Sequence, residues 1–259
     1  MIWLRSLLFT FLLFLSVAVH ATAVLLLAPF GHRICYRAAV NWAQVNLWLL
    51  DKLCGLRFEI EGREHIPAEP CVLYWKHESV FETMAGALEF PPQTWVVKRE
   101  LMWLPFFGWG LAMLKPIAIN RKAGRTAVKQ VMAQGRERLE SGLFVVIYPE
   151  GTRVLPGHTR RFGISGAALA KSAGCPILPV AHNAGDFWPR RSVLKRPGTI
   201  RVVIGPPIDT TDLSHEEITR RGREWIAATL ERISPDRPAP PSDTQGPGPH
   251  METGAKCGG

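Results

Sequence analysis

Past Gly55 the chain alternates short runs of β-branched and aromatic residues with longer helical stretches, and this alternation restricts the fold most. The runs at 57–61, 71–75, 94–97, 116–119, 143–148, 177–182 and 199–204 read as strands, and 124–140 and 163–173 as helices. Arg57-Phe58-Glu59-Ile60-Glu61 repeats with the period of two of a half-exposed strand. Strands interleaved with helices predict an α/β fold, a mixed, mostly parallel sheet flanked by helices, whose sites form from loops at strand ends. Pro176 and Pro179 place their strand at a sheet edge or make it irregular, because proline donates no ladder hydrogen bond.

The first 54 residues are different in kind. Residues 6–31 contain no Asp, Glu, Lys or Arg. As a helix they extend about 39 Å, enough to cross a hydrocarbon core of roughly 30 Å. Arg5 and Ala21-Thr22-Ala23 would suit a cleaved signal peptide, but the apolar run resumes at Val24-Leu25-Leu26-Leu27. A membrane anchor is therefore expected. His20 and Pro29 also allow a bent helix or one dipping into a single leaflet. Arg5, Arg33 and Arg37 flank the apolar run on both sides, which fits a hairpin returning to the cytoplasmic face as well as a span. Residues 38–54 read as a second helix, with Asn41, Gln44, Asp51 and Lys52 on one arc and Ala43, Leu47, Leu50 and Leu53 opposite. It suits either a membrane interface or the core.

The expected organisation is N-terminal membrane-anchoring helices over 1–54, an α/β domain over 55–234, and a disordered Pro/Gly-rich tail over 235–259. The net charge of +9 favours an anionic partner. Nucleic-acid-binding signatures are missing from the sequence, and the apolar N-terminus points to a lipid bilayer instead. The five cysteines show no CxxC spacing, so neither a metal site nor a disulfide framework is expected.

The chemistry concentrates at predicted strand ends. His77-Glu78-Ser79-Val80-Phe81-Glu82 follows the run Cys71-Val72-Leu73-Tyr74-Trp75. A carboxylate beside a histidine fixes the imidazole tautomer and stabilises imidazolium, which makes a general base. Five residues on a helix rotate by about 500°, so the pair meets only if His77 lies in the turn and Glu82 in the first helical turn. Ser79 suits a helix cap with Glu82 at the capping-box position, a competing role for the same carboxylate. Lys98 opens a charged and then densely aromatic stretch, either a packed connection or a phosphate contact beside a lipid-facing surface. Arg121 ends the run Ile117-Ala118-Ile119-Asn120, where a guanidinium can hold a phosphate or simply face solvent. In Tyr148-Pro149-Glu150-Gly151-Thr152-Arg153, Gly151 permits an unusual backbone angle, Thr152 and Arg153 offer donors, and Glu150 can orient one of them. No acid follows Glu150 until Asp186, while Arg153, Arg160, Arg161 and Lys171 intervene, which suits a phosphate cleft.

Taken in order, these blocks resemble the glycerolipid acyltransferase family, in particular the 1-acyl-sn-glycerol-3-phosphate acyltransferases, across roughly residues 55–205. His77 to Glu82 is similar to the family's His-x-Ser-x-x-Asp block, Tyr148 to Arg153 to Phe-Pro-Glu-Gly-Thr-Arg, and Ile117 to Arg121 and Pro176 to Val180 to two further blocks. Glu82 stands where Asp is usual, Asn120 where Asp is common and Lys76 where Asn is often found. The resemblance implies acyl transfer from acyl-CoA or acyl carrier protein to the sn-2 hydroxyl of lysophosphatidic acid, with no cofactor. It implies His77 and Glu82 as the catalytic pair and Arg153, then Arg121 and Lys98, on the acceptor phosphate. Glu150, Gly151 and Thr152 would shape the loop. The active site would face the cytoplasm at the membrane. A lysolipid without glycerol phosphate, such as lyso-ornithine lipid, is the nearest alternative acceptor. A membrane-associated lipid hydrolase is the more distant reading, because Gly163-Ile164-Ser165-Gly166-Ala167 lacks the last glycine of a nucleophile elbow.

Overall fold

The computed structural model of the chain describes residues 1–120, 123–158 and 160–237. Two antiparallel helices lead into the chain: α1 (Ile2–Leu27) and α2 (His32–Cys54), joined by a 3-10 turn at Ala28–Phe30. Among the described residues, seven strands and six further α-helices follow. They are β1 (Leu56–Glu61), β2 (Val72–Trp75), α3 (Phe81–Glu89), β3 (Gln93–Lys98), α4 (Phe107–Ala112), β4 (Ile117–Ile119), α5 (Arg125–Glu140), β5 (Phe144–Ile147), α6 (Ser165–Ala173), β6 (Ile177–His182), α7 (Ala184–Phe187), β7 (Gly198–Ile204) and α8 (His215–Ile233).

The sheet order is β1-β7-β6-β2-β5-β3-β4. Strands β2 to β6 run parallel, and β7 pairs antiparallel to β6 and parallel to β1. This is the mixed, mostly parallel sheet expected from the alternation. Each residue of β2 and β5 is buried, as strands covered on both faces require. Leu73 and Trp75 face a core shared with Phe9, Ala43, Leu47, Leu50, Phe81 and Met84 of α1, α2 and α3. Val72 and Tyr74 face the other core, with Val131, Leu169, Ile218 and Ile226 of α5, α6 and α8. Gly166 lets α6 approach the sheet: a Cβ there would lie 2.2 Å from the Tyr74 ring. Ser214 caps α8 by accepting the Glu217 N–H at 3.1 Å, as its Ser-x-x-Glu sequence predicts.

The proline-bearing strand is not at an edge, and of its two expected prolines only Pro179 lies within it, Pro176 preceding the first residue. β6 lies between β7 and β2 and is buried along its whole length. Pro179 is tolerated because the β6–β7 ladder is interrupted beside it. Val180 pairs with Ile204 and Ile177 with Ile208, so the proline faces the intervening Gly205 and needs no donor. Its carbonyl still accepts the Gly205 N–H at 2.9 Å.

The N-terminal hairpin packs on the domain along its length. Ser6 Oγ accepts the Lys195 N–H at 3.0 Å, Phe9 stacks edge-on against Trp188 at 5.6 Å, and the Ala21 backbone lies 3.2 Å from a Cβ placed on Gly110. Within the hairpin, Asn46 falls on the apolar side of α2 and is fully buried. Its amide donates to Ser16 Oγ at 2.9 Å and to the Trp42 carbonyl at 2.8 Å. α1 is, among the described residues, the one helix long and apolar enough to cross a membrane. It leaves Trp3, Leu4, Phe11, Phe14 and Leu26 exposed. Cys35, Cys54, Cys71 and Cys175 are free thiols, while Cys257 lies outside the described residues.

Candidate active site

The chain reverses its course across the sheet near β2: β3 and β4 lie beyond β5 on one side, and β6 lies on the other. The carboxyl ends of the strands at such a reversal form a crevice. Here that crevice receives the loop after β2, with His77, and the loop after β5, with Tyr148 to Arg153. The two loops are joined by the Val154 N–H donating to the His77 carbonyl at 2.8 Å.

His77 Nδ1 lies 2.7 Å from Glu82 Oε1. The histidine sits in the turn and Glu82 in the first turn of α3, as their spacing demands. Glu82 is fully buried and also accepts backbone N–H groups, from Ser79 at 3.0 Å on both oxygens and from Glu78 at 3.2 Å. Ser79 Oγ in turn accepts the Phe81 N–H at 3.3 Å. One carboxylate thus contacts His77 and also accepts from the backbone of the turn before α3, while α3 itself starts after Val80 without a side-chain cap. Burial pushes the Glu82 carboxyl above the usual carboxylate range; His182, Arg153 and the backbone donors oppose that rise. On its other face the His77 ring stacks against Tyr148, with centroids 3.9 Å apart and planes at 17°. Burial, and then the Glu82 charge, push the Tyr148 phenol up, so it stays protonated beside the base.

Around this pair lies a buried ionic cluster. Lys76 Nζ is 2.8 Å from Glu150 Oε1 and 3.5 Å from Glu78 Oε1, all three side chains being almost wholly excluded from water. Burial raises the Glu150 carboxyl, and Lys76 opposes it. Lys76 thus replaces the expected asparagine with a charge that ties the two site loops together. His182, at the end of β6, accepts the Ala184 N–H on Nδ1 at 3.1 Å. Its Nε2–H therefore donates to the Lys76 carbonyl at 2.9 Å, with Glu82 Oε2 at 3.8 Å.

Gly151 turns the β5 loop at φ +69°, an angle that favours glycine, and Thr152 and Arg153 follow it. The Arg153 guanidinium is close enough to Glu82 and Tyr148 to oppose the rise of both their pKa values. Its Nε is buried without a hydrogen-bond partner among the described residues. Arg190 donates to the Arg153 carbonyl and holds that loop from the α7 side. Lys98 lies at the end of β3, two strands from β2. Its half-exposed ammonium is 3.8 Å from Glu100 Oε1. Arg121 lies outside the described residues, one position beyond Asn120 at the end of β4. His77, Glu82, Glu150, Gly151, Thr152 and Arg153 are thus gathered into two adjoining loops, with Lys98 on the same edge farther along. Sequence reasoning missed His182, Glu78, Arg190 and Arg237. Of these, Glu78 carried the clearest signal, as an acid inside the histidine motif.

The arrangement is an oriented base beside a cationic loop, and among the described residues no cluster of His, Cys, Asp or Glu could hold a metal ion. Residues 57–183 match the Acyltransferase family model. The chain is 44% identical to a 1-acyl-sn-glycerol-3-phosphate acyltransferase of Pseudomonas aeruginosa, over 90% of this chain and 92% of that one. It is 29% identical to 1-acyl-sn-glycerol-3-phosphate acyltransferase beta of Homo sapiens, over 78% of this chain and 73% of that one. In fold it is similar to the 1-acyl-sn-glycerophosphate (LPA) acyltransferase PlsC of Thermotoga maritima, with a TM-score of 0.74, 21% identity, and coverage of 89% of this chain and 95% of that one. With 44% identity across almost the whole of both chains, this chain belongs to the acyltransferase family that includes the 1-acyl-sn-glycerol-3-phosphate acyltransferases.

Proposed function

We propose that the chain transfers an acyl group from a thioester donor to the sn-2 hydroxyl of 1-acyl-sn-glycerol 3-phosphate, giving phosphatidic acid. The observation that carries this reading is the 2.7 Å contact between His77 Nδ1 and Glu82. With Nδ1 held by the carboxylate, Nε2 is the ring nitrogen that takes the hydroxyl proton. The resulting alkoxide attacks the thioester carbonyl. The tetrahedral intermediate collapses with loss of the thiolate, and the proton on Nε2 goes to the sulfur. Glu82 stabilises the imidazolium between the two transfers. No acyl-enzyme is needed, because the acceptor hydroxyl activated by His77 attacks the thioester directly; Ser79 Oγ is taken up by the Phe81 N–H at 3.3 Å.

Arg153 is our first choice for the acceptor phosphate, supported by its buried, unmet Nε beside the base. Arg121 and Lys98 are further candidates. The donor is acyl-CoA or acyl carrier protein. A lysolipid such as lyso-ornithine lipid is the alternative acceptor, and the phosphate separates the two. Arg153→Ala should raise KM for lysophosphatidate by about 10-fold or more while kcat falls less. An equal loss with an acceptor lacking phosphate would remove that contact.

The membrane reading follows from the hairpin. α1 touches the domain from Ser6 to Ala21 and α2 brings the chain back, so both ends of α1 stay on one side. Its exposed apolar face continues into Trp103, Leu104, Phe106 and Trp109 around α4, which packs on α1. That surface suits insertion into a single leaflet, with the active site at the cytoplasmic face.

A further inference from the structure

The residue after which the sequence looks least structured is also tied to the catalytic motif. Arg237 follows α8, within the segment expected to be a disordered tail. Its Nη1 and Nη2 donate to Glu78 Oε1 and Oε2, both at 2.9 Å, and its Nε donates to Asp186 Oδ1 at 3.0 Å. The Arg237 side chain is only 9% exposed and that of Glu78 is fully buried. Glu78 is the residue directly after His77, and its backbone N–H donates to Glu82. The fold makes room for this contact: a Cβ on Gly185 would lie 2.6 Å from Glu78 Oε2. A bidentate guanidinium on a buried carboxylate fixes both position and orientation.

We propose that Arg237 is a positioning residue for acyl transfer, clamping Glu78 and, through the backbone of its loop, the geometry of His77 against Glu82. Two cations meet this acid. Lys76, directly before His77, pairs with Glu150 and lies 3.5 Å from Glu78 Oε1. Arg237 holds both oxygens of Glu78 and ties them to Asp186 on α7. Glu78 is thereby neutralised next to a base whose protonation the reaction uses. The other charged or titratable groups around the His77–Glu82 pair are Glu150, Tyr148 and Arg153 from the β5 loop and His182 from β6. The side-chain hydrogen bonds of Arg237 go to Glu78 and Asp186 and to none of these.

This rests on the acyl-transfer reading, and the test separates the two. The full chain is assayed on vesicles containing lysophosphatidate with an acyl thioester donor, as wild type, His77→Ala, Glu78→Gln, Arg237→Gln and Arg237→Lys. Thermal unfolding is measured on each. Arg237→Gln should lower kcat by about 10-fold with KM within about 2-fold of wild type. It should also raise the acidic limb of the kcat/KM profile by about half a pH unit, because the released Glu78 charge favours imidazolium. Glu78→Gln should move that limb down, and Arg237→Lys should recover most of the loss. A folded Arg237→Gln with wild-type kcat and an unmoved limb overturns the positioning role while leaving the base in place. A loss that follows only the unfolding temperature overturns it too. A His77→Ala protein with wild-type kcat removes the base, and the positioning role with it.

Discussion

Glu82 Oε1 sits 2.7 Å from His77 Nδ1 while the same carboxylate takes the Ser79 N–H at 3.0 Å, so a single side chain both holds the turn before α3 and orients the imidazole. The motif's five-residue spacing therefore has a physical reason. The turn supplies the histidine, the first helical turn supplies the acid, and the backbone hydrogen bonds to Glu82 fix one relative to the other.

From this follows the first prediction. Glu82→Gln keeps the shape but removes the charge that stabilises imidazolium, so kcat should fall by about 10²-fold with little change in KM. Glu82→Asp keeps the charge and shortens its reach by one methylene in a loop built around Glu, so it should lose less, about 10-fold. Steady-state kinetics on lysophosphatidate check both. Wild-type turnover in Glu82→Gln would leave the residue only its hold on the turn before α3.

A second prediction concerns how the hairpin is held. Lys195 is buried between Phe9 and Trp188, with its ammonium 5.1 and 4.9 Å from their ring centroids, and donates to Thr10 Oγ1. Burial lowers its pKa to about 8 from the ordinary 10.5. Below pH 8 the folded and unfolded chains both carry the charge, and the folded one bears the full cost of burying it. Between about 8 and 10.5 the unfolded chain binds more protons, so stability should rise with pH across that window. Urea unfolding of wild type against Lys195→Met isolates the effect. The variant should lack that rise, and parallel pH profiles would contradict the assignment.

Phe11 and Phe14 test the membrane surface. They are 64% and 70% exposed on α1, and a charge at either position opposes insertion into hydrocarbon. Phe11→Asp with Phe14→Asp should reduce co-sedimentation with anionic vesicles by about 10-fold, leaving the thermal unfolding midpoint near wild type. Undiminished vesicle binding would place the membrane contact elsewhere.

Much of this was legible in the sequence because it rests on local pattern. Seven β-type runs became seven strands within a residue or two, because β2, β5 and β6 are short apolar runs buried throughout and β1 alternates with the period of two of a half-exposed strand. The spacing of His77 and Glu82 is a weak signal by itself, and it was legible only together with the motifs that follow it at Ile117 to Arg121, Tyr148 to Arg153 and Pro176 to Val180. Of the two places Pro179 allowed, an edge or an irregular strand, the structure takes the second: the β6–β7 ladder breaks beside it where β7 ends before Gly205, a long-range fact. Arg237 was hidden for a similar reason: its partners Glu78 and Asp186 are 159 and 51 residues away, and its own surroundings in sequence are Pro-rich. His182 reads locally as one more strand residue, and only the pairing of β6 with β2 brings its ring to the Lys76 carbonyl.

If His77 is the base for acyl transfer to lysophosphatidate, His77→Ala should show it in the initial rate of phosphatidate formation, with folding verified by thermal unfolding. That rate should fall by about 10³-fold or more, with the protein still bound to vesicles. A folded His77→Ala protein that forms phosphatidate at close to the wild-type rate would contradict that role.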